Sequence, residues 1–200
     1  MNFRISNVLA EAGVSAEGLE RLSSTIRTCS LEQGEYLIRQ GDSAPNLYMI
    51  RKGLAKMFYL TPDGKEFVKS FLPEGSFAGS LIAQLEDRCS SFSIVCLEPI
   101  EAELIPFSDI QSLFESDPAA LRFGFKFFQE LALKKEKREF NFLCLTPEEH
   151  YRYFIDENPD LACRVTLADI ARYLGITPVA LSRIRRRIKQ DTTQLKPPLY

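Results

Sequence analysis

Two hundred residues, 45% apolar and 26% charged, suffice for one medium domain of about 100–150 residues and a small second one. The net charge of −2 conceals a division: residues 164–189 hold seven basic side chains against Asp169 alone, whereas residues 1–163 hold 17 Lys and Arg against 25 Asp and Glu. No charged start leads into an apolar core and no uninterrupted apolar run approaches about 18 residues, so neither a signal peptide nor a membrane span is expected and the chain reads as cytoplasmic.

In chain order, a helical opening (Val8, Leu9, Leu19, Leu22, Ile26) precedes a stretch from Cys29 to Phe107 that alternates short β-type runs with turn glycines. The runs are EYLIR, LYMIRKG, LAKMFYL, FVKSFL, FSIVCL and AELIPF. Gly34, Gly41-Asp42, Lys52-Gly53, Pro62-Asp63-Gly64 and Pro73-Glu74-Gly75 fall between them. Many short strands at this spacing predict an antiparallel roll or barrel, with Asp63-Gly64 as the clearest two-residue hairpin signal.

Asp117-Pro118 supplies a cap and a first helical residue, and no breaker follows until about Leu145. A helix of that length, about 40 Å, needs more cover than one small domain offers. Gly124, Phe128, Leu131, Lys135, Arg138, Phe142 and Leu145 recur at four and three residues, with Phe125, Ala132 and Glu139 flanking them. This is the pattern of a two-stranded coiled coil, and it predicts a homodimer with Gly124, Phe128, Leu131 and Phe142 in the seam. Packing of Phe123, Phe125, Phe127 and Phe128 on the roll of the same chain is the competing use of this surface.

The basic segment then spells TLADIARYLGITPVALSRIRRRIK from Thr166 to Lys189. Ile170, Leu174, Ile176, Leu181 and Ile184 give apolar spacing on both sides of Gly175, and Ala171 permits close approach, so two helices can bury one face against each other. Thr166 with Asp169 caps the first helix and Thr177 with Pro178 starts the second. Arginines clustered on a helix-turn-helix neutralise phosphates and release counterions, while the acidic remainder is repelled by a polyanion. The partner expected is therefore double-stranded DNA.

The whole is an α+β chain: an antiparallel β-roll over 1–118, a long helix over 119–145 and a helix-turn-helix domain over 146–200. With Gly34-Glu35, Gln40-Gly41-Asp42, Leu47-Tyr48-Met49-Ile50, Gly53 and Asp63-Gly64-Lys65-Glu66 in that order, it resembles the cyclic-AMP receptor protein/FNR (Crp/Fnr) family of bacterial transcription regulators. The resemblance implies a cyclic-nucleotide-binding-type sensory roll, a dimerisation helix, an inverted-repeat operator and RNA polymerase as a candidate partner.

Family members that bind cyclic nucleotides place a glutamate on the ribose and an arginine on the cyclic phosphate. Here Gly79-Ser80 offers serine for the glutamate, and the alternating strand of Ser90-Ser91-Phe92-Ser93-Ile94-Val95-Cys96 sets a register with Ser90 at the arginine position. A charge-assisted contact of that kind contributes about 1.5–3 kcal/mol, so tight cyclic-AMP binding in the family mode is not expected and no cofactor is predicted. Arg88 could substitute in a shifted register, and Lys135 on the long helix could face a different anionic ligand. The effector pocket expected from the resemblance thus comprises Gly79, Ser80, Arg88, Ser90, Ser91 and Lys135.

On the recognition helix the family's R-E-(x)3-R pattern becomes Pro178-Val179-(x)3-Arg183. The resemblance makes Arg183 the base reader and Val179 an apolar contact to a thymine methyl. Thr166, Thr177, Ser182, Arg185, Arg186 and Arg187 become phosphate contacts. The family's wing hairpin is missing from KQDTTQLKPPLY. This helix variant, with the altered pocket, resembles the divergent branch common in Bacteroidetes.

Other chemistry is sparse. Cys29, Cys89, Cys96, Cys144 and Cys163 form no CxxC pair and are expected to be reduced and mostly buried, with a Cys89–Cys96 redox pair as the minor reading. One histidine, His150, suits packing better than haem ligation, and no nucleophile–base, metal or P-loop signature points to an enzyme. The alternative to a DNA-binding regulator is an effector module that binds a nucleotide through the shifted cassette or docks its C-terminal helices on protein.

Overall fold

The computed structural model describes residues 3–86 and 88–194. They divide into two compact units that meet in sequence between Lys137 and Arg138. The first unit opens with two short helices, α1 (Ile5–Glu11) and α2 (Ala16–Ser23), separated by a turn where the sequence suggests one helical segment. The Ser15 hydroxyl caps α2 by accepting from the Gly18 N–H at 3.1 Å.

The roll follows: β1 (Arg27–Leu31), β2 (Tyr36–Ile38), β3 (Asn46–Lys52), β4 (Ala55–Leu60), β5 (Glu66–Leu72), β6 (Phe77–Ala78), a short α3 (Leu81–Leu85), β7 (Ser93–Cys96) and β8 (Ile100–Pro106). All pairings are antiparallel, in two four-stranded sheets of order β1-β8-β3-β6 and β2-β7-β4-β5. Leu37, Ile38, Ile50, Met57, Leu72, Ile94 and Ile100 form one core cluster of the roll. Six strands coincide with the apolar runs. The two without such a run, β1 and β6, are the edges of the first sheet, where less side-chain burial is needed.

The β4–β5 hairpin is longer than two residues. Thr61 to Lys65 connects the strands, because the Thr61 hydroxyl bonds Asp63 and accepts the Lys65 N–H at 3.1 Å, building a local turn around Gly64. Strand β7 also departs from expectation. It lies inside its sheet and is buried at every position, so it does not alternate.

A second cluster joins Ile5, Leu9, Leu22, Met49, Ile105, Ile110, Leu113 and Ala120, which packs α1, α2 and α4 (Phe107–Ser116) on one side of the first sheet. Buried Glu103 fastens this layer by accepting from the Ile5 N–H at 2.8 Å. Asp117 ties α2 to the next helix, accepting from Ser15 N at 2.9 Å and Ala119 N at 2.8 Å. These donors, Ser15 first, hold its carboxyl at about 2.

Helix α5 (Pro118–Cys144) runs 27 residues without a break. The segment expected as a separate piece is thus shared between the two units. The second unit adds α6 (Pro147–Glu157), α7 (Pro159–Arg164), α8 (Leu167–Leu174) and α9 (Pro178–Gln194). Thr146 and Glu149 form a capping box on α6, each satisfying the other's backbone N–H. Helix α9 occupies the start of the segment where a wing would lie, and the rest of that expectation, residues 195–200, falls outside the described residues.

Candidate nucleic-acid interface and sensory pocket

The α8–turn–α9 unit is built by its caps. The Thr166 hydroxyl accepts the Asp169 N–H at 3.1 Å and donates to the Asp169 carboxylate at 2.6 Å, while Asp169 also receives Arg172 at 3.2 Å. Helix α8 closes at Gly175, where φ is 71°, and the Ile176 N–H bonds back to Ala171 O at 3.0 Å. A Cβ at Gly175 would meet the Phe142 ring at 2.7 Å. The Thr177 hydroxyl accepts the Ala180 N–H at 3.2 Å and opens α9. Ile170, Ala171, Leu174, Leu181 and Ile184 are buried in the hairpin.

Burial of Leu181 and Ile184 turns Val179, Ser182, Arg183, Arg186 and Arg187 outward, with Val179 61% exposed. Three of the expected phosphate contacts stand apart. Arg185 is half-buried, because its position falls off that face of the helix. Arg187 is held at 3.1 Å by Glu148, which also receives Arg152 at 3.1 Å. Thr166 spends its hydroxyl proton on Asp169. Glu148 and Arg152 were not singled out by sequence, since their relevance depends on α6 lying against α9.

His150 is buried between the Phe142 and Tyr173 rings, at centroid separations of 6.3 and 6.1 Å. Burial, with the Arg138 charge second, pushes its pKa down. It packs the base of the helix-turn-helix, and the same rings account for Phe142. Expected in the dimer seam, Phe142 lies against Gly175 and His150 of its own chain.

Gly124 is buried because the Phe114 ring of α4 covers it, 2.7 Å from where a Cβ would stand. Phe128 and Leu131 are half-buried, and the neighbouring Phe127 packs edge-on against Phe77 at 5.5 Å. The open side of the helix carries Leu121 and Phe125, 55% and 65% exposed, with Ala132 in line two turns on.

In the roll, neither cassette serine is idle. Ser80 is fully buried as N-cap of α3, and Gly79 leaves room beside it for Gln84, whose amide donates to Asn46 O at 2.9 Å. Ser90 is buried, donates its hydroxyl to Phe92 O at 2.8 Å and exchanges backbone bonds with Gly41 and Asp42. Ser91 is half-buried, and Arg88 lies exposed beside Glu86 at 3.4 Å.

Lys69, which sequence reading passed over, sits in this neighbourhood. Its ammonium lies 3.9 Å from the centroid of Phe92 and 5.5 Å from that of Tyr59. Burial first, and the charge of Lys135 on α5 second, lower its pKa to about 8. Of the cysteines only Cys96 is buried; Cys89, Cys144 and Cys163 are exposed and all five are free thiols, which corrects the expectation of mostly buried sulfur. Burial raises the Cys96 pKa to about 11, the opposite of a redox-active thiol. Among the described residues no His, Cys, Asp and Glu cluster could hold a metal ion, and no helix is long and apolar enough to cross a membrane.

The model of the cyclic nucleotide-binding domain matches residues 28–117. The transcriptional activator protein Anr of Pseudomonas aeruginosa is 26% identical over 192 residues, covering 89% of this chain and 77% of that protein. The chain is a Crp/Fnr-family transcription regulator with a cyclic nucleotide-binding domain. Its fold is that of FixK2 from Bradyrhizobium japonicum, with a TM-score of 0.74 at 16% identity over 84% of this chain and 86% of that one. The c-di-GMP-responsive global regulator CLP of Xanthomonas campestris gives 0.71 at 20% identity, over 89% and 93%. Regulators of the Crp/Fnr family bind DNA.

Proposed function

We propose that the chain acts in the cytoplasm as a homodimer that reads an inverted-repeat operator through α9, with RNA polymerase as a further partner. The observation that carries this reading is the outward row of Val179, Ser182, Arg183 and Arg186 on a helix whose other side, Leu181 and Ile184, is buried. Arg183 reads guanine, Val179 meets a thymine methyl, and Arg186 and Thr177 position the helix on phosphates. Residues 1–118 sense, the helix over 119–145 dimerises, and 146–200 bind DNA. Dimerisation uses the Leu121–Phe125–Ala132 side of α5, with Phe128 at its margin. Selection from random duplexes should enrich a pseudo-palindrome with half-sites roughly 34–36 Å apart, one helical turn. Enrichment of no inverted repeat defeats the reading.

The roll does not take cyclic AMP in the family manner. Ser80 and Ser90 can supply neither the carboxylate nor the guanidinium, and both hydroxyls are spent within the chain. Calorimetry with cyclic AMP should therefore find no tight site, whereas micromolar binding abolished by Arg88→Ala would reinstate the cassette in its shifted register. The TPVALSRIRR helix and the serine-substituted pocket together support placement in the Bacteroidetes-type branch.

A further inference from the structure

The turn that feeds α9 is gripped from α5 by two side chains one helical turn apart. Arg138 and Phe142 stand four residues from each other, so they share a face of that helix. Their stretch of α5 belongs with the second unit. Phe142 covers Gly175, 2.7 Å from where a Cβ would stand. Arg138 takes Tyr173, two residues earlier, in two ways. Its Nη2 donates to the Tyr173 carbonyl at 3.1 Å, and its guanidinium carbon lies 3.9 Å from the centroid of the Tyr173 ring.

Both contacts supply what α8 cannot supply for itself. Tyr173 lies in the last turn of α8, where helix carbonyls lack the N–H partners that a further turn would bring and the dipole is negative. A cation brought there from another helix bonds one of those carbonyls and complements the dipole. The ring that receives it is itself packed, 5.1 Å from the Phe154 centroid and 6.1 Å from that of His150. A guanidinium is planar with N–H groups fanned around its edge, so one side chain can lie over a ring while it donates to a carbonyl. A lysine ammonium has no such plane. One residue of α5 thus holds both the backbone and the side chain of Tyr173. Gly175 and Ile176 follow and α9 opens at Pro178, so the direction of α9 descends from this hold.

We propose that Arg138 is a positioning residue: it fixes the α8–α9 turn on α5 and so sets the half-site spacing that a dimer accepts. This rests on the reading of the chain as a homodimer that selects an inverted repeat. The side of α5 proposed for dimerisation, Leu121–Phe125–Ala132, and the Arg138–Phe142 grip belong to one unbroken helix. A turn fixed on that helix makes the separation of two recognition helices a property of the dimer. A turn released from it lets each α9 follow its own half-site.

The test measures the full chain on pseudo-palindromes built from the selected half-site, with the spacer at its optimum or one base pair longer, and on a duplex with a single half-site. An added base pair turns one half-site by roughly 35° and moves it about 3.4 Å. Wild type should lose about tenfold or more in affinity for it. Arg138→Gln, folded by circular dichroism, should bind the optimal palindrome about tenfold less tightly, lose no more than about twofold on the added base pair, and keep its single-half-site affinity. Arg138→Lys keeps the cation without the plane, and its profile should lie between the two; it carries the same comparisons if glutamine unfolds the second unit. Amide exchange without DNA gives an independent reading: Arg138→Gln should speed exchange of the Ile176 N–H, which closes the turn on Ala171 O, about tenfold. If the folded variant keeps the wild-type spacing profile, weakens palindrome and single half-site alike, or leaves Ile176 exchange unchanged, the proposal is overturned. A wild type that selects no inverted repeat, with Ile176 still responding, defeats the DNA reading and the spacing role with it, while the hold of Arg138 on the turn stands.

Discussion

Around α9 the cations stand in water: Arg183 and Arg186 are exposed on a supported helix, and Arg187 is matched by Glu148. In the roll the cation is taken partly out of water, laid on aromatic rings and set against another of its own sign. Exposed cations of the first kind cost little to keep and suit a long polyanion, whose affinity accumulates over many weak, salt-screened contacts. A half-buried lysine laid on aromatic rings, as Lys69 is, costs more to keep charged. The difference separates the two regions by how much water each leaves around its cations, independently of any motif.

The sharpest way to break the comparison is to remove the proposed dimer, on which reading of an inverted repeat depends. Leu121→Glu with Phe125→Glu should give monomers by sedimentation and lower operator affinity by about 10²-fold or more, because the second half-site no longer binds in cis to the first. A dimer that survives both changes places the interface elsewhere. Next in size is the turn that presents α9. Gly175→Ala forces a side chain into a left-handed backbone and onto Phe142, costing about 1–3 kcal/mol for the backbone alone, and thermal unfolding should show it in the second unit.

If α9 reads DNA as proposed, base reading and phosphate contact should separate within it. Arg183→Ala should cost about 1–3 kcal/mol of operator affinity and relax preference at one base pair per half-site. Arg186→Ala should weaken all sequences alike and lower the salt slope by about one per subunit. If the two variants behave identically, α9 contributes only a basic surface, and docking on protein becomes the better account of the helix pair.

What sequence disclosed follows the same division. The caps Thr166–Asp169, Thr177–Pro178 and Asp117–Pro118 involve neighbours three residues apart or fewer, so the spelling alone locates them. Ser80 and Ser90 were legible as residue types, but their capping and turn hydrogen bonds were not. Nor was the placement of Lys69, because FVKSFL shows no sign of its β-bulge, which exists only once β5 pairs with β4. Two positions of the expected dimer face have contacts the heptad does not show: Phe114 covers Gly124, and Phe142, though 52% exposed, packs on the His150–Gly175 turn. Exposed cysteines were missed because thiol burial is a tendency of the residue type, whereas exposure here is decided by position on the helices.

The pH response of the two regions should also differ. His150 is buried with its pKa pushed below 6.5, so the unfolded chain binds its proton more readily than the folded one. Its contribution is present above about pH 6.5 and is lost as pH falls below it, and the second unit should weaken there. His150→Phe should flatten that limb in chemical denaturation. Asp117 acts lower on the scale, its stabilisation lost as pH falls from the ordinary carboxylate range toward about 2, and Asp117→Asn should remove that acid limb from the first unit.

The smallest effect belongs to Glu148, and it tests whether the matched arginine is a reserve or a fixture. Its carboxylate holds Arg187 and Arg152, each at 3.1 Å, in pairs exposed enough to be worth at most about 1 kcal/mol. Glu148→Gln leaves the shape of α6 unchanged but adds one net positive charge beside α9. If Arg187 is then free to meet a phosphate, non-specific DNA binding should strengthen about two- to five-fold and the salt slope should steepen by up to about 0.9 per subunit. Preference at the base read by Arg183 should stay the same, since a phosphate contact carries no sequence information. An unchanged salt slope would mean that Arg187 lies off the path of the DNA backbone, leaving Arg186 as the phosphate contact of this turn.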